Sequence, residues 1–369
     1  MKLTVNRETL LKPLQLVAGV VERRQTMPIL FNVLLVVEDG QLSLVGTDLE
    51  IELIGRVKLE QPSENGEITV PARKLMDICK SLPEDCDIDL QIDDQKMILR
   101  SGRSRFTLST LPANDFPSIK EDAESFTFSV AQSSLRRLID RTGFAMAQQD
   151  VRYYLNGMLL EVSDHALRSV AADGHRLATC SVDVDVDVGQ DNKHQVIVPR
   201  KGILELARLL TEGDEMVNIA IGGNHIRANT GDFIFTSRLV DARFPDYEQT
   251  LPRGGDKIVI GDRYTLRQAF NRTAILSNEK YRGIRITLSK NTIKIVANNP
   301  EQEEAEEEVS VNYAGAALEI GFNVNYLLDV LSVISGDAVK LTLSDSSNSV
   351  LIEETEESDS VYVIMPMRL

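Results

Sequence analysis

The chain has no tryptophan, only four histidines, and three cysteines (Cys79, Cys86 and Cys180) scattered along 369 residues. The thiols match no zinc-ligand spacing and imidazoles are scarce, so no metal site and no cofactor are expected. An odd, dispersed set of cysteines suits a reducing compartment. No apolar run approaches the ~20 residues that span a bilayer. The N-terminal MKLTVNRETL lacks the apolar stretch of a secretory signal, so a cytoplasmic location is expected. P-loop and nucleophile-elbow patterns are missing as well. Ser181 to Asp191 (SVDVDVDVGQD) resembles a calcium loop at first sight. In the EF-hand frame from Asp183, however, Val188 stands where glycine is required and His194 where a glutamate should bind. The alternation predicts a strand with Asp183, Asp185 and Asp187 on one solvated face.

What the chain does contain is repetition. Its length and 43% hydrophobic content fit two or three domains better than one core. Six segments place apolar residues at i, i+3, i+4 and i+7, the frame of an amphipathic helix. Five are regular: Leu75/Ile78/Cys79/Leu82, Leu135/Leu138/Ile139/Thr142, Ile203/Leu206/Ala207/Leu210, Leu266/Ala269/Phe270/Thr273 and Leu327/Val330/Leu331/Ile334. Leu10/Pro13/Leu14/Val17 is looser, with Pro13 tolerated near a helix start. Val5 to Val130, Asp48 to Asp173, and Asp173 to Asn298 are each 125 residues apart. Val70-Pro71 and Val198-Pro199 are 128 apart, as are Phe116-Pro117 and Phe244-Pro245. Each third reads strand, helix, strands, twice over. This predicts an α+β fold of three repeated domains, 1–124, 125–253 and 254–369, each of two half-repeats of helix plus antiparallel sheet.

Charge is distributed unevenly over this framework. The net charge is −16, yet each of the first five helical segments carries +2 and the sixth −1. Five helices of one sign in an acidic protein predict a shared basic surface facing a polyanion. No zinc finger, helix-turn-helix or RNP signature accompanies it, so the contacts would go to phosphates without a base code. The ends differ too. Lys96, Arg100, Arg103 and Arg105 fall on the predicted strands Lys96 to Leu108, whereas PEQEEAEEEV near the other end holds six glutamates from Glu301 to Glu308. A basic edge and an acidic edge could pair head to tail between chains, with Phe106, Leu108, Ile275 and Leu276 as a dry centre.

The segment Gln149 to Thr179 (QDVRYYLNGMLLEVSDHALRSVAADGHRLAT) predicts a β-meander: Leu155 to Val162, Leu167 to Ala172 and His175 to Thr179, with breaks at Ser163-Asp164 and Asp173-Gly174. Asp173 and His175 could form an acid-base pair on one strand face. Their equivalents are Asp48/Glu50 and Asn298/Pro300, which reads as turn chemistry instead of catalysis. The same composition is also compatible with an acidic interaction scaffold that never touches DNA.

The motifs TVPARK, LRSGRSRF, LSTLPA, QDVRYYLNGML, DGHRLA, VIVPRKG, GDFIFTS, RFPDY, AILSNEK, ANNPEQEEAEE and the terminal MPMRL cover essentially the whole length. In them the chain resembles the bacterial sliding-clamp family, the β subunit of the replicative DNA polymerase III holoenzyme. The resemblance implies a non-enzymatic processivity factor, a head-to-tail homodimer closed into a ring around double-stranded DNA with helices inside. It implies DNA contacts at Arg24, Arg73, Gln149, Tyr153 and Tyr154. It implies a groove for short peptide motifs of the replicative polymerase, the clamp loader and repair polymerases. That groove would be built from Leu155, Gly174, His175, Arg176, Leu177, Pro245, Asn323, Tyr326, Val363, Met365, Pro366, Met367, Arg368 and Leu369. The dimer joint would set Lys74, Lys96, Arg103, Arg105, Phe106 and Leu108 against Ile275, Leu276, Glu301, Glu303 and Glu304. Ala172, Gln249 and Thr250 depart from the threonine, arginine and valine of the familiar family pattern, so the groove rim loses a charge.

Overall fold

The computed structural model describes residues 1–22, 27–119, 126–186, 188, 193–356 and 359–368. Arg24 and Leu369 lie outside them, as do Asp187 and the first domain boundary. The first third runs β1 Lys2–Asn6, α1 Arg7–Val20, β2 Asn32–Glu38, β3 Gln41–Thr47, β4 Ile51–Lys58, then β5 Gly66–Pro71, α2 Ala72–Ser81, β6 Asp87–Asp93, β7 Lys96–Ser101, β8 Ser104–Ser109. The middle third repeats the order: β9 Phe126–Ala131, α3 Gln132–Thr142, β10 Gly157–Ser163, β11 Ala166–Ala172, β12 Arg176–Asp183, then β13 His194–Pro199, α4 Arg200–Leu209, β14 Met216–Ile221, β15 His225–Asn229, β16 Phe233–Arg238. The last third repeats it again: β17 Lys257–Asp262, α5 Arg263–Ala274, β18 Gly283–Ser289, β19 Thr292–Asn298, β20 Glu304–Ser310, then β21 Leu318–Asn323, α6 Val324–Val333, β22 Ala338–Leu343, β23 Val350–Glu354, β24 Ser360–Ile364.

Each helix is preceded by a strand whose last residue caps or abuts it. Asn6 accepts from the Glu8 amide, Asp262 from Thr265 and Asn323 from Asn325, satisfying amides that have no partner within the helix. Most of the i, i+3, i+4 residues named above are buried, for example Leu75 and Cys79, Leu266 and Phe270, Leu327 and Leu331, while Ile78 and Ala207 are half-buried. Pro13 sits inside α1 and is itself buried.

The chain divides into two compact units, Met1–Arg136 with Lys201–Leu239, and Arg137–Arg200 with Val240–Leu369. The division follows from strand pairing. In the first unit an eight-stranded antiparallel sheet runs β5-β2-β3-β4-β16-β15-β14-β9, and a four-stranded sheet runs β1-β6-β7-β8. In the second unit the eight-stranded sheet runs β13-β10-β11-β12-β24-β23-β22-β17, and the four-stranded sheet β20-β19-β18-β21. Both long sheets are joined by one rule: the last strand of a domain's first half pairs with the last strand of the next domain's second half. Thr236 opposes Glu52 at the first junction, and Val363 opposes Leu177 at the second. Among the described residues, β8 and β20 are the two strands of this kind left as sheet edges.

Several expectations need correction. Leu155 does not begin a strand; it closes a 3-10 turn, Tyr153–Leu155, before β10. Arg103 lies in the turn between β7 and β8, not on a strand, and Glu301 and Glu303 precede β20. The alternating aspartates are not a continuous strand. β12 ends at Asp183, although Val184 and Val186 stay buried while Asp183 and Asp185 face out. The turn role expected of Asn298 falls on Asn299, whose Oδ1 accepts from the Glu303 amide at 2.9 Å, because the third copy is longer here.

The basic helices also have a structural use. Arg7 on α1 donates to the carbonyls of Cys79 (2.8 Å) and Lys80 (3.2 Å) at the end of α2. Arg136 on α3 reaches the Ala207 carbonyl of α4 at 2.8 Å. Arg263 on α5 reaches Leu331 of α6 at 3.2 Å and Gly336 just beyond it at 2.7 Å. One arginine per domain thus caps the carbonyl end of the companion helix, where the helix dipole favours a cation. Replacing Arg263 with alanine is expected to lower unfolding stability by about 1–3 kcal/mol, because it strips partners from part-buried carbonyls. The same change at exposed Arg73 should cost less than about 0.5 kcal/mol. Urea-unfolding midpoints of the two variants test the contrast.

Candidate partner groove and DNA-facing loop

In the second unit the face of the long sheet carries a buried apolar cluster of Ala147, Leu155, Leu159, Val170, Leu177, Ile197, Phe244, Tyr247 and Val363. Tyr154, Ala172, Leu251 and Leu351 pack against it. Leu155, Leu177 and Val363 were expected there; Phe244, Tyr247 and Leu351 were not. The Phe244-Pro245 repeat landmark was the available sign, since it places an aromatic residue at the same point of two domains.

The turn Asp173-Gly174 forms one lip. Asp173 Oδ1 accepts from the amides of His175 (2.9 Å) and Arg176 (3.0 Å), as Asp48 Oδ1 does for Glu50 and Ile51. The Asp-His pair is therefore turn chemistry. Gly174 has φ +86°, a left-handed conformation that favours glycine, and the Arg152 guanidinium lies 2.5 Å from where a Cβ would stand. Arg176 is fixed on several sides. Its Nε donates to Asp173 Oδ2 at 3.0 Å, its Nη2 to the Phe144 carbonyl at 2.9 Å, and its Nη1 to Asp329. Its guanidinium lies 4.5 Å from the Tyr326 ring centroid and 5.2 Å from that of Phe144. His175 stacks on Tyr326 with centroids 6.2 Å apart. Asp329 is the only charged residue of α6, a signal legible in advance.

The C-terminal segment completes this face. The Met365 amide donates to the His175 carbonyl at 2.8 Å, and the Met367 amide to Gly321 at 2.8 Å. Met365, Pro245 and Arg368 are exposed, Pro366 and Met367 half-buried. Asn323 acts first as the α6 cap. Exposed, adaptable Met beside a buried apolar floor suits a site that accepts more than one peptide.

The loop before β10 is largely exposed. Gln149 has φ +54°, Val151 is 94% exposed and Tyr153 58% exposed. Tyr154, its ring 6.0 Å from Tyr153, packs on the groove cluster instead. Arg152, which sequence reasoning missed, ties loop to lip. It donates to both Asp150 carboxylate oxygens (3.0 and 2.8 Å) and to the Asp173 carbonyl (3.2 Å). Hydrogen bonding from Arg152 lowers the Asp150 carboxyl to about 2. In the first unit Arg73 is exposed at the start of α2.

The two sheet edges carry opposite charge. On β8 and its turn Arg103 and Arg105 are exposed, Phe106 is half-buried and Leu108 is buried within its own unit; Lys96 and Lys74 are exposed. On the acidic side Glu301, Glu303 and Glu304 are exposed, Ile275 is 75% exposed and Leu276 half-buried. Glu306 pairs with Lys294 at 2.9 Å and Glu307 with Arg272 at 2.5 Å.

Three helix-and-sheet repeats, joined edge to edge through shared sheets, define a DNA-clamp fold. The DNA polymerase III beta subunit profiles match in order: the N-terminal domain over residues 1–120, the central domain over 129–246 and the C-terminal domain over 248–368. The chain is 68% identical to the beta sliding clamp of Pseudomonas putida over 369 residues, and 56% identical to that of Escherichia coli K12 over 370, with all of both chains covered in each case. Its fold matches the Pseudomonas aeruginosa DNA polymerase sliding clamp solved with a ligand at a TM-score of 0.97 and 69% identity, covering 100% of both chains. A Pseudomonas aeruginosa clamp bound to griselimycin matches equally well, at 0.97 and 69% with full coverage of both chains. The chain belongs to the DNA polymerase III beta subunit family, the bacterial sliding clamps. It is a replication processivity clamp and not an enzyme, and the scaffold alternative finds no support. Among the described residues, no helix is long and apolar enough to cross a membrane.

The Arg152 clasp has a pH signature. Asp150 has a depressed pKa, so the clasp is fully present above the ordinary carboxylate range and is lost as pH falls through about 2. Arg152→Gln should return the Asp150 titration toward 3.8, read by carboxyl-resolved NMR.

Proposed function

We propose that two copies join head to tail through β8 and β20, closing a cytoplasmic ring around duplex DNA. Three domains per copy, at 1–124, 125–253 and 254–369, would line it with their helices. The observation that carries this reading is the pair of open edges. The strands that make both internal junctions leave one basic and one acidic counterpart without a partner. The register follows from the repeat. Thr107 holds the place in β8 that Thr236 holds in β16, and Glu304 the place in β20 that Leu177 holds in β12. Carrying the Thr236–Glu52 and Val363–Leu177 pairing across opposes Thr107 of one copy to Glu304 of the other. Arg105 then faces Glu306, Arg103 faces Glu308, and Phe106 faces Ala305. Lys201 pairs with Asp48 and Glu22 at the first junction. Lys74, one residue past the equivalent place on α2, would reach Glu301 of the other copy. Lys96, Glu303, Ile275, Leu276 and Leu108 border the same joint.

Exposed Arg73, with Arg24, Gln149 and the tyrosines Tyr153 and Tyr154, would meet the DNA backbone. Such contacts are independent of sequence and weakened by salt. Topology, not affinity, would retain the ring. The groove from Leu155 and Leu177 to Met365, with Leu369 at its end, would take short peptides of the polymerase, the clamp loader and repair polymerases. Griselimycin, a peptide-like ligand of the Pseudomonas aeruginosa relative, would bind there too.

Two measurements test the ring. Loaded on nicked circular DNA, the protein should remain bound and leave once the circle is linearised; equal loss from both forms sinks encirclement. Reversing Arg103 and Arg105 to glutamate should raise the dimer dissociation constant at least about tenfold through like-charge contacts. Glu306→Arg with Glu308→Arg should restore association better than the same changes at Glu303 and Glu304. The opposite ranking would refute the register.

A further inference from the structure

The sheet beneath the groove carries two adjacent cross-strand rows on one face. The first, Ile197–Leu159–Val170, is buried and apolar. Two residues along each strand lies the second, Gln195–Glu161–Arg168–Ser181, which is wholly polar. At its centre Glu161 is 1% exposed. Its carboxylate accepts from Gln195 Nε2 at 2.6 Å, the Tyr247 hydroxyl at 3.2 Å, Arg168 Nη1 at 3.4 Å and Lys193 Nζ at 3.5 Å. A buried carboxylate is tolerated only with such a set of donors.

Tyr247 straddles the two rows. Its ring belongs to the apolar cluster of the groove, while its oxygen donates to Glu161 and accepts from Arg168 Nη1 at 2.9 Å. Burial pushes the phenol above its ordinary value, which keeps it a donor. Tyr247 also opens the one-turn 3-10 helix Tyr247–Thr250. That turn is closed on itself: Thr250 Oγ1 donates to the Tyr247 carbonyl at 2.7 Å, and Gln249 Nε2 to Asp246 Oδ2 at 2.8 Å. Fixing Tyr247 therefore anchors the turn that carries Gln249 and Thr250, two residues after Pro245.

The arrangement is confined to this junction. The places of Glu161 and Arg168 are held by Val36 and Ser43 in the first domain and by Thr287 and Lys294 in the third. Ile119 stands where Tyr247 stands, and its amide is held by Glu52 at 3.2 Å. The buried polar row occurs where the apolar groove occurs, and in neither other repeat.

We propose that Glu161, acting through Tyr247, is a positioning residue of the partner groove, setting the wall Pro245–Thr250 against which a bound peptide packs. The proposal rests on the groove reading above. The probe is labelled griselimycin, titrated against the full-length protein, with dimer mass and thermal midpoint recorded for each variant. Tyr247→Phe keeps the ring and removes only the hydroxyl; Glu161→Gln keeps the shape and removes the charge. Each should weaken binding about tenfold, mainly through faster dissociation, with dimer mass unchanged. The double variant should bind no worse than the weaker single one, because both break the same link. Wild-type protein that fails to bind griselimycin overturns the groove reading itself. Wild-type binding with unchanged affinity in both variants overturns only the positioning role, as do independent, multiplying losses in the double variant.

Discussion

A β-sheet edge is a row of amides and carbonyls that must be paired, covered or charged. This chain is organised by that constraint. Two of its three equivalent junctions are satisfied internally, by β4 against β16 and β12 against β24, with matching registers. Each domain consequently shares its sheets with its neighbours, which is why the compact units cut through the central domain instead of between domains. The third pair of equivalent strands, β8 and β20, is left as sheet edges among the described residues. Its strands carry glutamates on one side and arginines on the other. Under the proposed joint, such edges would accept a second copy and keep two identical edges apart.

Junctions built alike need not do the same work, and the cross-strand pair at each shows why. Glu52 with Thr236 at the first junction is polar, and Glu52 holds the Ile119 amide against the sheet. Leu177 with Val363 at the second is apolar and belongs to the buried cluster proposed to floor the groove. Burying apolar side chains from a ligand is favourable by about 25 cal/mol per Å², whereas a buried carboxylate must keep its partners. Two side-chain changes on one scaffold thus separate a polar junction from an apolar one.

Much of this was legible in the sequence, because repeat spacing and amphipathic frames depend on local pattern. The 125- and 128-residue intervals located the halves, and Asp48 and Asp173 do the same turn work. Charge was less legible. Counting Arg7, Arg136 and Arg263 toward a DNA-facing surface overlooked the helix-end carbonyls they satisfy, since partners some 70 residues away leave no local trace. Arg141, paired with Glu354, and Lys201, paired with Asp48, were miscounted for the same reason. Leu155 looked like a strand start because an apolar residue beside two tyrosines has the right composition. Asn156 decides otherwise, exchanging hydrogen bonds with Asp150 at 2.9 and 2.8 Å and closing the turn.

That closed turn lies between the two surfaces proposed for recognition. The loop from Gln149 to Tyr153 presents exposed groups on one side, and Tyr154 and Leu155 enter the groove floor on the other. A surface that slides along phosphates must bind each position weakly and equally, so polar side chains at an exposed loop serve it better than an ordered pocket. A surface that holds a tether must resist dissociation, which calls for a rigid apolar floor and walls fixed before the ligand arrives. Arg152, bonded to Asp150 on the loop and to the Asp173 carbonyl on the groove lip, joins the two. The stiffness that the groove requires is therefore available to the loop, and the loop can be exposed without being unsupported.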